Sequence, residues 1–319
     1  MLILRVYKEI RERMATKPTV LLTGATGFLG SHLLKCFLAE GYSIVLLKRL
    51  QSNLRRIESD LGRVKACYNL EEQGITRAFE EHKIDIVAHC ATDYGRKNTD
   101  TLQIVQANLI LPLTLLQEGK KRGLQVFLNT DTLLDKGIND YSLSKRQFSE
   151  WLHNASEAAA PGESKFIGID VALEHFYGPD DDPSKFVSWL IDSIFKKVKK
   201  IPLTAGEQKR DFIHIDDVVA AFLKIIEKAP ALDRGFHRFE VGAGQSIAIR
   251  DLVNEVSGLC APHTTQFEFG QLPYRLHETM DSKVNLAPLL KLGWAPRVSL
   301  GEGLRRTVEQ EKKLREQKK

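Results

Sequence analysis

Five short apolar runs recur along the first 171 residues of this 319-residue chain: TVLLT (19–23), SIVLLKR (43–49), KIDIVAHCA (83–91), LQVFLNT (124–130) and KFIGIDV (165–171). Each is too short for a buried helix and lacks the alternating polar face of a half-exposed strand. Each therefore reads as a strand covered on both faces. Stretches of helical periodicity lie between them, as in HLLKCFLAEG, where Gly41 suits a C-cap, and around residues 101–122 and 141–159. Strands that alternate with helices form a parallel sheet, because every parallel return needs a crossover long enough to hold a helix. After about residue 175 the rhythm shortens and Pro, Gly and aromatic residues become frequent. The expected layout is an N-terminal extension over 1–17, a nucleotide-binding domain over 18–174 with a returning segment near 211–230, and a mainly substrate-binding part over 175–319.

Composition removes several alternatives. Hydrophobic residues make up 43% and charged residues 27%, the balance of a globular chain rather than a disordered one. Lys and Arg number 46 against 41 Asp and Glu, a net +5 that is too thin for a nucleic-acid partner. Cys36, Cys67, Cys90 and Cys260 form no CxxC pair and have no histidine at ligand spacing. They are expected to be reduced core thiols, with no disulfide framework and no metal site. No apolar run approaches the roughly 20 residues of a membrane span, and the N-terminus lacks the apolar region of a signal peptide, so a cytoplasmic location is expected.

Between the first strand and the first helix stands Thr23-Gly24-Ala25-Thr26-Gly27-Phe28-Leu29-Gly30. Glycines three apart at such a junction let the backbone turn tightly and a pyrophosphate come close, with helix N–H groups facing the phosphates. Gly24, Thr26, Gly27, Phe28, Leu29 and Gly30 are the expected dinucleotide contacts, and the fold is expected to be a Rossmann-type doubly wound α/β sheet with a smaller C-terminal α/β domain. The second strand ends in Lys48-Arg49, with Arg55 and Arg56 soon after, where an NAD enzyme carries a carboxylate. Cations at that place favour a 2′-phosphate, so NADP(H) is the expected cofactor and NAD(H) the alternative. Further on, Tyr141-Ser142-Leu143-Ser144-Lys145 sets a phenol and an ammonium one helical turn apart. An ammonium beside a phenol stabilises phenolate and makes Tyr a usable acid or base.

GATGFLG, HCAT (89–92), NTDTLLD (129–135) and YSLSK resemble, in that order, the extended short-chain dehydrogenase/reductase family, and more narrowly its nucleotide-sugar epimerase, dehydratase and reductase branch. EHFYGP (174–179), RDFIHIDD (210–217), Arg275 ahead of Asp281 and Lys283, and LGWAP (292–296) continue the match over about residues 18–310. The resemblance implies a catalytic set of Thr130, Tyr141 and Lys145, with Thr132 as a substitute for Thr130. Tyr141 and Lys145 would also touch the cofactor, together with Ala91. Thr92, Asp93, Tyr94, Asp131, His175, Arg210 and Arg275 would contact the substrate, the two arginines through its diphosphate. Asp131 could alternatively be a general acid, but dehydratases carry a Glu after that Asp and this chain has Thr132. The sequence also departs from the branch at His175, where many relatives have Asn, and at Val171-Ala172-Leu173, which lacks the usual Arg.

HCATDYGRK, FLNTDTLLDK and GEQKRDFIHIDDVV look most like 4-keto reductases of CDP-linked deoxysugars. The expected function is thus NADPH-dependent reduction of the C4 ketone of a nucleotide-linked 4-keto-6-deoxy or 3,6-dideoxy hexose, CDP- or dTDP-linked, by a homodimer. An NAD-dependent 4-epimerase using the same three residues is the first alternative, and a non-catalytic NADP-binding module is the second.

Overall fold

The computed structural model describes residues 17–96, 100–157, 166–275 and 278–316. Most of the predicted N-terminal extension, residues 1–16, lies outside them. In chain order the elements are β1 (Thr19–Thr23), α1 (Phe28–Ala39), β2 (Ser43–Lys48), β3 (Ala66–Asn69), α2 (Gly74–Glu81), β4 (Ile86–His89) and α3 (Thr101–Val105). A π-helical stretch, Gln106–Ile110, leads from α3 into α4 (Leu111–Lys121), followed by β5 (Val126–Thr132), α5 (Asp140–Glu157), β6 (Ile167–Leu173) and β7 (His175–Tyr177). The remainder is α6 (Phe186–Phe195), β8 (Lys200–Leu203), β9 (Lys209–His214), α7 (Ile215–Lys228), β10 (Gly235–Val241), β11 (Ser246–Ala248), α8 (Ile249–Leu259), β12 (Gln266–Phe269), α9 (Ala287–Lys291) and α10 (Leu300–Glu316).

Among the described residues, seven strands form one sheet in the order β10-β6-β5-β4-β1-β2-β3. β1 pairs in parallel with both β2 and β4, β2 with β3, and β4 with β5. Strand order reverses at β1, so the chain winds outward in both directions from it, which is the doubly wound arrangement the alternating pattern predicts. The five apolar runs are the strands β1, β2, β4, β5 and β6. Their burial on both faces is clearest in β6, where every residue is buried. Two small sheets, β11-β9-β7 and β12-β8, are built from the later, shorter elements.

Contacts divide the chain into two compact units. The first takes residues up to 130, 139–170 and 231–237; the second takes 131–138, 171–230 and 238–319. The segment near 211–230, expected to return to the first domain, groups with the second unit, and it is 231–237 that groups with the first. The reason is the apolar face of α7: Val218, Ala221, Phe222 and Ile225 are fully buried, and the helix packs on β7 and β9. The first unit is filled by Leu21, Val45, Val87, Phe127, Phe148 and Leu152, and the second by Leu190, Phe212, Leu252, Val253 and Leu304.

One local expectation changes. Cys67 is exposed, not a core thiol, because it faces outward from β3. At the start of α7 the His214 imidazole accepts from Asp216 N, and Asp217 Oδ2 accepts from the backbone N–H of Arg297 (3.0 Å) and Val298 (2.8 Å).

The glycine turn is packed tightly, backbone against backbone. Gly24 has φ +72°, and a Cβ there would stand 2.5 Å from Ala91 N; a Cβ on Gly30 would stand 2.1 Å from Gly24 O. Gly30→Ala should therefore force the turn open, cost about 1–3 kcal/mol as overpacking does, and lower the thermal midpoint. An unchanged midpoint would show that the turn is not packed this way.

Candidate active site

The glycine turn fits a dinucleotide pyrophosphate. Gly27 is the N-cap of α1 and offers no side-chain acceptor, and its carbonyl accepts from Ser31 N at 3.0 Å, so the turn runs straight into the N-terminus of a helix, the end that favours a phosphate. A Cβ at Gly24 would fill the space between the turn and the residues after β4, and one at Gly30 would run into the backbone of Gly24 and Ala25. Ala91 sits at that end, its N–H donating to Thr23 Oγ1 at 3.3 Å. At the end of β2, Lys48 Nζ donates to Asn69 Oδ1 (2.7 Å), while Arg49 is exposed. The nearby Glu71 carboxyl is held below the usual range, chiefly by its own backbone N–H and that of Leu50, with Arg49 and Lys48 adding to the effect.

Tyr141 and Lys145 lie in the first turns of α5. Asn139 caps this helix: its Oδ1 accepts from Ser142 N at 2.9 Å, and Ser142 Oγ in turn accepts from Asn139 N at 3.3 Å. Lys145 is only 1% exposed. Its charge reaches two groups at the end of β4. Burial first, and Lys145 second, push the His89 imidazole well below its ordinary range. Burial raises the Cys90 thiol to about 11 against the opposing pull of Thr130 and Lys145. Thr130, on β5, donates its hydroxyl hydrogen to Cys90 Sγ at 3.3 Å. The fallback, Thr132, accepts from Leu134 N.

The loop after β4 is pinned from an unexpected place. Asn108, fully buried in the π-helical stretch, makes four hydrogen bonds. Its Oδ1 accepts from Thr92 Oγ1 (3.0 Å) and Asp93 N (2.8 Å), and its Nδ2 donates to Asp93 O (2.8 Å) and Ser144 Oγ (3.0 Å). The predicted contacts Thr92 and Asp93 are thus occupied in holding the loop. The next residue, Tyr94, lays its ring 5.0 Å from that of Tyr141, and the Arg96 guanidinium stands 5.1 Å from the centre of the Tyr94 ring. A polar residue on the helix face otherwise formed by Ile104, Leu111 and Leu115 is the signal that could have marked Asn108.

The other predicted contacts are in the second unit. His175 Nδ1 bonds Glu174 Oε2 at 3.1 Å, and its ring lies 5.6 Å from Phe212. β7 pairs with β9 through His175 and Phe212, which puts His175 and Arg210 on one face of that sheet. Arg210 is held by Glu278, by Thr279 O and by Lys209 O, so its guanidinium is already ion-paired. Arg275 is exposed. Asp131 is buried and ion-paired with Arg238 at 2.8 Å, a partner 107 residues away that no local pattern announces. Among the described residues no group of three or more acidic, His or Cys side chains is arranged to hold a metal ion, and no helix is long and apolar enough to cross a membrane.

The model of the NAD dependent epimerase/dehydratase family matches residues 20–242. The chain belongs to this family. Family membership and the glycine turn together make it an NAD(P)-dependent enzyme of the extended short-chain dehydrogenase/reductase type. It is 32% identical to CDP-abequose synthase of Salmonella typhimurium, over 90% of this chain and 96% of that protein. A UDP-glucose 4-epimerase of Mycolicibacterium smegmatis is 27% identical over 91% of this chain and 97% of its own length. Among solved structures, the UDP-glucose 4-epimerase of Thermotoga maritima superposes with a TM-score of 0.78 at 23% identity, covering 93% of this chain and 99% of that one.

Asn108→Ala would strand two donors and two acceptors, at about 1–3 kcal/mol for each that stays buried. The expected outcome is a clearly lower denaturation midpoint; a protein as stable as the parent would mean that the loop is held by other contacts.

Proposed function

We propose that this enzyme uses NADPH to reduce the C4 ketone of a nucleotide-diphosphate-linked 4-keto-6-deoxy or 3,6-dideoxy hexose, in deoxysugar biosynthesis. The observation that carries the reading is the full-length similarity to CDP-abequose synthase, with Thr130, Tyr141 and Lys145 all intact in the first unit. NADPH, when bound, supplies the hydride. Tyr141 gives its proton to the developing alkoxide, Thr130 turns its hydroxyl from Cys90 to the same oxygen, and Lys145 stabilises the phenolate left behind. Two observations argue against dehydration: Asp131 is engaged by Arg238, and Thr132 stands where a second acid would be.

A CDP- or dTDP-linked substrate follows from the same similarity, with His175 and Arg275 as contacts and Arg210 engaging the diphosphate by exchanging Glu278 for it. Lys48 and Arg49 support NADP(H). One observation favours the NAD-dependent 4-epimerase as a second reading: Lys48 is engaged by Asn69, and Glu71 lies near both cations.

We further propose a homodimer through the α3–α5 face. Of the apolar residues on α5, Phe148 and Leu152 are core, but Trp151 is 54% exposed and Leu143 42%; Leu102 and Ile110 add 79% and 41% on the preceding helical segment. Exposed apolar side chains gathered on adjacent helices mark an interface.

The deciding experiment is a panel of CDP-, dTDP-, UDP- and GDP-linked 4-keto-6-deoxy sugars, each offered with NADPH and NADH while cofactor absorbance is followed. One substrate should be reduced, with kcat/KM at least about 10-fold higher for NADPH, and Tyr141→Phe should lose about 10²–10⁴-fold in kcat. No cofactor consumption with any sugar, or near-normal turnover by the Phe variant, would overturn the reading. Light scattering at micromolar concentration should give the mass of two chains, and a monomeric mass would exclude the dimer.

A further inference from the structure

Lys145 and Asp170 are both enclosed in the first unit, at 1% and 0% exposure. An ammonium so deeply buried is tolerated when negative charge shares its low-dielectric surroundings. The titratable groups that sense Lys145 from β4 do not provide it. His89 is neutral, its imidazole pushed well below the ordinary range, and Cys90 remains a thiol up to about 11. From the loop after β4 come Tyr94, with the Arg96 guanidinium beside it, and Asp93, which is only half-buried and whose Oδ1 accepts from Gly95 N at 2.9 Å. Asp140, beside Tyr141, is exposed and accepts from Thr101.

Among the described acidic residues of the first unit only Asp60 and Asp170 are buried, and Asp60 pairs with Arg63 at 2.9 Å. Asp170 is placed differently. Its Oδ1 accepts from Asn129 Nδ2 at 2.7 Å and its Oδ2 from Ser149 Oγ at 3.0 Å. Asn129 directly precedes Thr130 on β5, and Ser149 lies one turn beyond Lys145 on the same face of α5. One carboxylate therefore ties the strand that carries Thr130 to the helix that carries Tyr141 and Lys145.

We propose that Asp170 is the buried counter-charge of Lys145 and a positioning residue that, through Asn129 and Ser149, sets β5 against α5. The sign of its effect on Tyr141 follows. Lys145 favours the phenolate, and a carboxylate behind Lys145 opposes it. Asp170→Asn keeps the shape, removes the charge, and should let Tyr141 lose its proton at lower pH. The charge pairing stands apart from the proposed reaction; only the consequence for Tyr141 chemistry rests on that reading.

The test is a double-mutant cycle on the full chain, read as thermal midpoints of the parent, Asp170→Asn, Lys145→Met and the double variant. Each single change should lower the midpoint, and the double variant should lose markedly less than the sum. Additive losses would overturn the pairing. If Asp170→Asn fails to fold, the double variant decides: its folding supports the pairing, and its failure overturns it. A second readout is the tyrosinate absorbance titration, with the Tyr141→Phe signal subtracted. Asp170→Asn should move the Tyr141 midpoint down by about half to one pH unit, whereas Ser149→Ala, which keeps the charge, should leave it in place. An unmoved midpoint in Asp170→Asn would overturn the electrostatic role. Neither readout needs a substrate, so loss of the reductase reading and loss of this one are separately visible.

Discussion

At the end of β1 the backbone of Gly24 lies so close to the end of β4 that a Cβ would meet Cys90 and Ala91 at 2.5–2.7 Å. This approach fixes more than the turn. It brings the first strand's glycines, the N-terminus of α1 and the residues after β4 to one end of the parallel sheet, where such folds bind their ligands. Cys90, whose backbone abuts Gly24, then turns its sulfur to the Thr130 hydroxyl on the neighbouring strand. The expected cofactor cradle and the proposed catalytic hydroxyl are therefore linked through a single residue.

The remaining parts of the site are held by buried polar groups rather than by apolar packing alone. Asn108 satisfies all four of its hydrogen-bonding positions and ties the loop after β4 to α5 through Ser144. Asn139 starts α5 at a fixed residue, which places Tyr141 and Lys145 in its first two turns. Directional hydrogen bonds suit this task, because an acid and the hydroxyl that shares its target oxygen must keep their geometry to within a fraction of an ångström.

Much of the first unit is legible in the sequence, for physical reasons. Strands buried on both faces have to be continuous apolar runs, and a turn that admits no Cβ has to be glycine, so β1, β2, β4, β5, β6 and the turn are all written locally. The polar architecture is legible only in part. Asp170 interrupts an otherwise apolar strand and Asn108 an apolar helix face, which flags them, yet their partners are fixed by tertiary structure. Arg238 offers no such mark, since its tie to Asp131 joins segments far apart in the chain. Arg210 reads equally as a phosphate ligand or as half of an ion pair, and in the folded chain it is bonded to Glu278. Trp151 and Phe148 share one helix and one apolar character, and only the fold separates the exposed side chain from the core one.

Reduction and epimerisation call on the same Thr, Tyr and Lys and differ in the fate of the hydride. A reductase transfers it once from cofactor to sugar, whereas an epimerase removes and returns the sugar's own hydrogen. The most direct measurement is therefore the transfer of deuterium from NADPH labelled at the transferred position of the nicotinamide. The account predicts one deuterium at C4 of the product sugar for each cofactor oxidised. A converted sugar carrying no label, with the cofactor unconsumed, would contradict it.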